Sequence, residues 1–227
     1  MIRKHVALVV TAAVGVAHLL SALAQAPIGS AGPIESLTFR PAYFDKDQNP
    51  LGSASLLPRT VLFQVPLIAG DISGTITSPP AVSLTAQIGE IAKLELGQIR
   101  KTVDQFATTL TRRASDTGLV IDPRETRIAR LATAVYDKET GKSIGGTVFR
   151  GGKLDENILV VYFDRPCELT GKRKVRDSEV IYNVKVGNAG FHLLKNVKET
   201  STVHRITVAS TPQQIFLSIV PASELRK

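Results

Sequence analysis

Few side chains of this chain have the chemistry that catalysis requires. Beyond the N-terminal segment there are one cysteine, Cys167, and two histidines, His192 and His204. Together with Asp164 they are the groups from which a nucleophile and its base would be assembled. The chain contains neither an H-E-x-x-H pair nor a G-x-S-x-G elbow, which zinc proteases and α/β-hydrolases require. The sequence therefore predicts no enzymatic activity, no metal and no cofactor, and a hydrolase with a site between two domains stays as the alternative.

Cys167 is the only thiol, and its sequence context leaves three alternatives open. It follows Asp164-Arg165-Pro166, and we expect it to lie in a loop. It is either a buried, inert thiol, one half of an intermolecular disulfide, or a nucleophile whose thiolate Arg165 would favour.

A basic run follows Cys167 and is the main candidate for binding. Its charged members are Lys172, Arg173, Lys174 and Arg176. In an extended strand, Lys172, Lys174 and Arg176 would share one face and could meet an anionic partner. The alternatives are a solvated loop or a charged edge strand, which sheets use to prevent edge-to-edge pairing.

Positive charge is distributed unequally along the chain. The whole chain has 28 Lys and Arg against 20 Asp and Glu, a net charge of +8. Residues 27–126 have 9 basic and 10 acidic side chains, and residues 127–227 have 17 and 10. The second half therefore carries the basic character, and an anionic glycan, a lipid headgroup or an acidic envelope protein is the expected partner.

Residues 1–24 have the pattern of a cleaved signal peptide. Arg3 and Lys4 precede an apolar, Ala/Val-rich stretch, and small residues with A-x-A spacing follow. Cleavage after Ala24 is favoured over cleavage after Ala26, because a cut after Ala26 would leave Pro27 directly after the cleaved bond. We expect a periplasmic or secreted protein without a membrane span after processing, for which nucleic acid is a poor partner.

Short runs rich in β-branched and aromatic residues predict an all-β fold. Turn sequences separate them, and residues 137–142 and 187–190 carry the Asp, Asn and Gly residues that turns use. The predicted strands cover residues 37–44, 59–65, 82–88, 128–136, 158–163, 179–186, 203–209 and 215–220. Residues 88–110 mix helical spacing with internal glycines and predict strand with a short helix over residues 99–110.

The chain beyond the signal peptide shows signs of an internal duplication. AYFDKDQNPLGSASL at Ala42 is similar to AVYDKETGKSIGGTVF at Ala134, and three further matches have offsets of 97 or 98 residues. This pattern predicts two tandem immunoglobulin-like or transthyretin-like β-sandwich domains, residues 25–126 (near neutral) and residues 127–227 (basic).

The segment YDKETGKSIGG, which starts at Tyr136, resembles turns of transthyretin-like and carboxypeptidase-regulatory-like sandwich modules. The resemblance covers eleven residues and implies a sandwich fold only. Together these patterns predict an exported structural or binding protein of the cell envelope, which acts through sandwich surfaces and edges and can be a subunit of a larger assembly.

Overall fold

The computed structural model describes residues 32–45, 47, 59–69, 81–88, 91–110, 118–132, 134–151, 156–209 and 214–221. The predicted signal peptide, residues 1–24, lies outside these ranges. Among the described residues, no helix is long and apolar enough to cross a membrane.

The fold is all-β and sandwich-like, and the described residues include one short helix. The strands are β1 (Ser36–Tyr43), β2 (Arg59–Ala69), β3 (Ala81–Ile88), β4 (Ala92–Glu95), β5 (Thr108–Thr109), β6 (Gly118–Asp122), β7 (Arg127–Leu131), β8 (Ala134–Asp137), β9 (Ser143–Arg150), β10 (Glu156–Phe163), β11 (Cys167–Val175), β12 (Ser178–Val186), β13 (Gly190–Lys198), β14 (Val203–Val208) and β15 (Phe216–Pro221). Each predicted strand occurs, except that the run at residues 128–136 divides into β7 and β8.

The segment between β4 and β5 contains the helix. A 3-10 turn, Leu96–Ile99, leads directly into α1 (Arg100–Phe106). Of the residues with helical spacing, Ile99 and Val103 are buried, whereas Phe106 is 42 % exposed. The helix ends earlier than the expected residue 110, because Thr108 and Thr109 pair with β7.

The strands form one hydrogen-bonded network, in the order β4-β1-β15-β9-β8-β2-β7-β10-β13-β14-β12-β11-β6. β9 also pairs with β10, which closes a ring of five strands: β9, β8, β2, β7 and β10. Pairs join strands on both sides of the predicted boundary at residues 126 and 127, for example β1 with β15 and β6 with β11.

The matched strands of the two halves have different neighbours. At the offset of 97 residues, β2 aligns with β10 and β3 aligns with β12. β2 pairs with β3, whereas β10 pairs with β7, β9 and β13. The division into two tandem domains stays a prediction.

Two clusters of buried hydrophobic side chains lie on opposite faces of β10. Ile158, Val160 and Tyr162 belong to the first cluster, which also contains Phe39 and Leu217. The alternating residues Leu159, Val161 and Phe163 belong to the second cluster, with Leu169 and Val184. Because both faces of β10 are buried, its sequence is a continuous apolar run instead of an alternating one.

The predicted turn at residues 137–142 is confirmed. Asp137 Oδ1 accepts hydrogen bonds from the backbone N–H groups of Glu139 and Thr140, at 3.1 and 2.8 Å. Gly141 has a φ of 67°, which favours glycine. The turn joins β8 and β9 as an antiparallel pair.

The second predicted turn, at residues 187–190, joins strands that are not neighbours. β14 lies between β12 and β13, parallel to β12 and antiparallel to β13. The connection between β12 and β13 therefore crosses the end of β14 and is not the tight hairpin that its residues suggest.

Candidate functional site

A cavity of about 660 Å³, widely open to solvent, lies in the described part of the chain. Three segments line most of it: α1 with the 3-10 turn before it, the start of β7, and the end of β10 with the residues that follow it. The charged and phenolic lining residues are Arg100, Lys101, Asp104, Arg127, Tyr162, Asp164 and Arg165.

Asp164 is the central anion of this cavity. Its side chain is only 5 % exposed. Its carboxylate accepts hydrogen bonds from the backbone N–H and the Nε of Arg127, both at 2.9 Å, and from Arg165 at 3.2 and 3.3 Å. Burial opposes ionisation, but these hydrogen bonds outweigh it and lower the pKa of Asp164. Asp164 is therefore a fixed negative charge at neutral pH.

Arg127 joins the two carboxylates of the cavity. Besides contacting Asp164, its guanidinium donates to the backbone oxygen of Asp104 at 2.8 Å and to Asp104 Oδ1 at 2.9 Å. The hydrogen bond to Asp164 is the main cause of a raised pKa of Arg127. This guanidinium binds β7 to α1 and to the residue after β10, so it fixes the shape of the site.

Tyr162 completes the inner network. Its hydroxyl donates to Asp104 Oδ1 at 2.9 Å. Burial raises the pKa of Tyr162 to about 12, and the hydrogen bond to the Asp104 carboxylate adds to this rise, while the nearby Arg100 guanidinium acts against it. The phenol stays protonated at neutral pH, so it serves as a hydrogen-bond donor and not as a base.

Two other arginines lie at the mouth of the cavity and contact exposed glutamates. Arg100 Nη1 lies 3.2 Å from Glu35 Oε1, and Arg165 Nη1 lies 3.2 Å from Glu125 Oε1. The side chains of Glu35 and Glu125 are 63 % and 64 % exposed. Neither glutamate lines the cavity. Each guanidinium therefore lines the cavity while it contacts a glutamate that solvent can replace.

The two histidine candidates of the hydrolase alternative lie far apart. His192 lies opposite Val161 and packs against the ring of Phe163, with its Nε2 at 2.9 Å from the carbonyl oxygen of Asn188. His204 lies opposite Lys198, six residues farther along β13 than His192. At about 3.3 Å per residue this register separates the two histidines by roughly 20 Å. Of the four candidates only Asp164 lines the cavity.

Cys167 is the first residue of β11, not a loop residue, and its side chain belongs to the second hydrophobic cluster. It is 4 % exposed. Burial raises the pKa of the thiol to about 12, with further contributions from the Asp164 and Glu168 carboxylates. This environment favours the inert thiol among the three alternatives.

We expect Cys167 to react with a thiol reagent far more slowly in the native protein than in the unfolded chain. At pH 8, a pKa of about 12 leaves about a thousandfold less thiolate than a pKa of about 9. The rate of colour formation with a disulfide reagent, with and without denaturant, measures this difference. Equal rates, or a disulfide-linked dimer on a non-reducing gel, would contradict it.

The basic run is divided between two faces and a turn. Lys172 and Lys174 are exposed on β11, as the alternation predicts, but Arg173 is buried on the opposite face. Arg176 does not continue the row, because the strand ends at Val175 and Arg176 has a φ of 54° in the turn before β12. Lys172 also pairs with Glu179 at 3.1 Å. The exposed basic row on β11 is therefore Lys172 and Lys174, without Arg173, and Arg176 is exposed separately in the turn.

In the part of the chain that the structure describes, one end of the strand network is an open edge. β6 is the last strand in the order, and among the described residues its only strand partner is β11. Leu119 and Ile121 point into the second cluster, whereas Val120 is 49 % exposed. In the register of β6 with β11, Val120 lies opposite Thr170, and Gly118 lies opposite Lys172.

Sequence reasoning missed most of the cavity. Asp104, Arg127 and Tyr162 lie in separate segments and form no local motif. Of the charged lining residues, only Asp164 and Arg165 were candidates from the sequence. The described residues include no group of three or more His, Cys, Asp or Glu side chains that could hold a metal ion. Family models, curated proteins and solved structures give no significant match to this chain.

Proposed function

We propose that this protein is an exported binding protein of the cell envelope, and that it acts by pairing β6 with an extended segment of a partner. The observation that supports this proposal is the open side of β6 in the described structure. An edge strand presents backbone N–H and C=O groups that a partner strand can pair with, and such pairing provides affinity without a deep pocket.

The side chains around β6 favour a partner with a particular pattern. Val120 offers an exposed apolar contact in the middle of the strand. Lys172 and Lys174 lie on β11 toward the Gly118 end, while Glu168 lies opposite Asp122 at the other end. A partner strand with an apolar centre and an acidic residue near Gly118 would complement this surface.

A binding role also agrees with the state of the reactive groups. The two histidines lie on distant parts of β13 and β14, the only thiol is buried, and Asp164 is held by two arginines. Export is inferred from the signal-peptide pattern of residues 1–24.

The test compares two substitutions at equally exposed apolar side chains. Val120→Lys places a charge on β6, and Ile91→Lys places the same charge beside β4, at the other end of the strand order. A photo-crosslinking residue at position 120 first identifies the partner in envelope extracts, and the purified pair is then titrated. We expect Val120→Lys to weaken binding about tenfold or more, and Ile91→Lys to leave it unchanged.

Two results would contradict the proposal. One is equal loss of binding in both variants, which would indicate a general effect of charge. The other is unchanged protection of the β6 backbone amides from deuterium exchange when the purified partner binds, because strand pairing must protect them.

A further inference from the structure

We propose that the cavity between α1, the start of β7 and the end of β10 binds a small organic anion with two or more carboxylate groups. This site is separate from the open edge of β6 and does not depend on the function proposed above. Its recognition groups are Arg100, Lys101 and Arg165, and its fixed frame is Arg127 with Asp104 and Asp164.

The charge of the lining favours an anion. Four cationic side chains line the cavity against two carboxylates. The two carboxylates are engaged by Arg127, Arg165 and the Tyr162 hydroxyl, so they do not repel a ligand as free anions would. Lys101 is exposed and makes no ion pair with any described residue. The excess positive charge of the lining therefore belongs to Arg100 and Lys101, of which Arg100 contacts the exposed Glu35.

Each of the two arginines at the mouth already contacts a glutamate carboxylate, which a carboxylate of the ligand can replace. Arg100 and Arg165 each make one 3.2 Å contact to a glutamate that is more than half exposed. Exposed pairs of this kind contribute little stability, so exchanging the glutamate for a ligand carboxylate costs little. Two such positions at one cavity suit a ligand with more than one carboxylate.

The frame holds these groups without the ligand. Arg165 is oriented through its Nε and Nη2 contacts to Asp164, which is buried and ionised. Such preorganisation reduces the entropy lost on binding. The site has a volume of about 660 Å³ and is open to solvent, so a small ligand can reach these groups directly.

The test is calorimetric titration of the full chain with citrate and, separately, with digalacturonate, at constant ionic strength. Citrate represents a free organic acid, and digalacturonate represents an acidic glycan. Saturable binding of either probe supports the proposal, and the better probe identifies the source of the ligand. If neither probe binds saturably, the proposal is overturned.

Four variants establish whether the binding occurs in this cavity. Arg100→Gln and Lys101→Gln should each weaken it, about tenfold for the arginine. Arg205→Gln is the matched control, because Arg205 pairs with Glu199 at a distant, similarly exposed position. Glu35→Gln removes the competing carboxylate and should tighten binding, an effect that a merely structural role of Arg100 would not produce. Equal weakening by Arg205→Gln, or weaker binding by Glu35→Gln, would overturn the proposal.

Discussion

Replacing Gly171 by alanine is expected to lower the free energy of unfolding by about 2 to 5 kcal/mol. Gly171 has a φ of 105°, and a Cβ atom there would lie 1.8 Å from the carbonyl oxygen of Gly118. The clash is with backbone and cannot be relieved by a rotamer change, so β6 must move away from β11. Urea denaturation followed by circular dichroism measures the loss.

Thr170→Ala is the control for this substitution. Thr170 is exposed on the same strand, and its replacement should change stability by only about 0.5 kcal/mol or less. An unchanged urea midpoint for Gly171→Ala would show that β6 does not approach β11 as closely as described.

Replacing Asp164 by asparagine is expected to cost about 2 to 3 kcal/mol at pH 7. The substitution keeps the shape of the side chain but removes the charge that Arg127 and Arg165 contact. The value is below that for a fully buried ion pair, because both guanidinium side chains are more than a third exposed.

The same substitution predicts a change in pH dependence. The pKa of Asp164 is lowered in the folded state, so its stabilising contribution is complete above the unfolded value of about 4 and is lost as the pH falls below it. The difference between the native protein and Asp164→Asn should therefore be largest at pH 7 and shrink toward pH 3. Urea titrations at pH 7, 5 and 3 measure it, with Asp177→Asn in the exposed turn as the control. A difference independent of pH would show that the charge of Asp164 does not stabilise the fold.

Local sequence patterns predicted most strands but not their partners. Alternation and β-branched runs identified β1, β3 and β12, and the apolar run of β10 was also predicted as a strand. β9 and β11 were not predicted as strands, because glycines and charged residues interrupt their apolar pattern. In β11 the buried position 173 is an arginine. Side-chain periodicity does not encode which strand lies beside which, so the insertion of β14 between β12 and β13 was not foreseeable.

The cavity shows the same limitation. Asp104 and Tyr162 are 58 residues apart and meet only because α1 packs near the end of β10. Charged residues in three unrelated segments look like ordinary surface residues until the fold places them together. In contrast, the alternation rule correctly placed Lys172 and Lys174 on one exposed face, since that inference needs only the geometry of a single strand.

The parallel pairing of β1 with β15 has a consequence for how this chain reaches its native state. Arg40 lies opposite Phe216, so β1 cannot complete its pairing until β15, about 175 residues farther along the chain, is available. Contacts between such distant segments slow folding, and the waiting strand is exposed to wrong partners meanwhile. The edge of β1 that faces β15 is therefore at risk of aggregation until β15 has been synthesised, and a chaperone that shields this edge would reduce the risk.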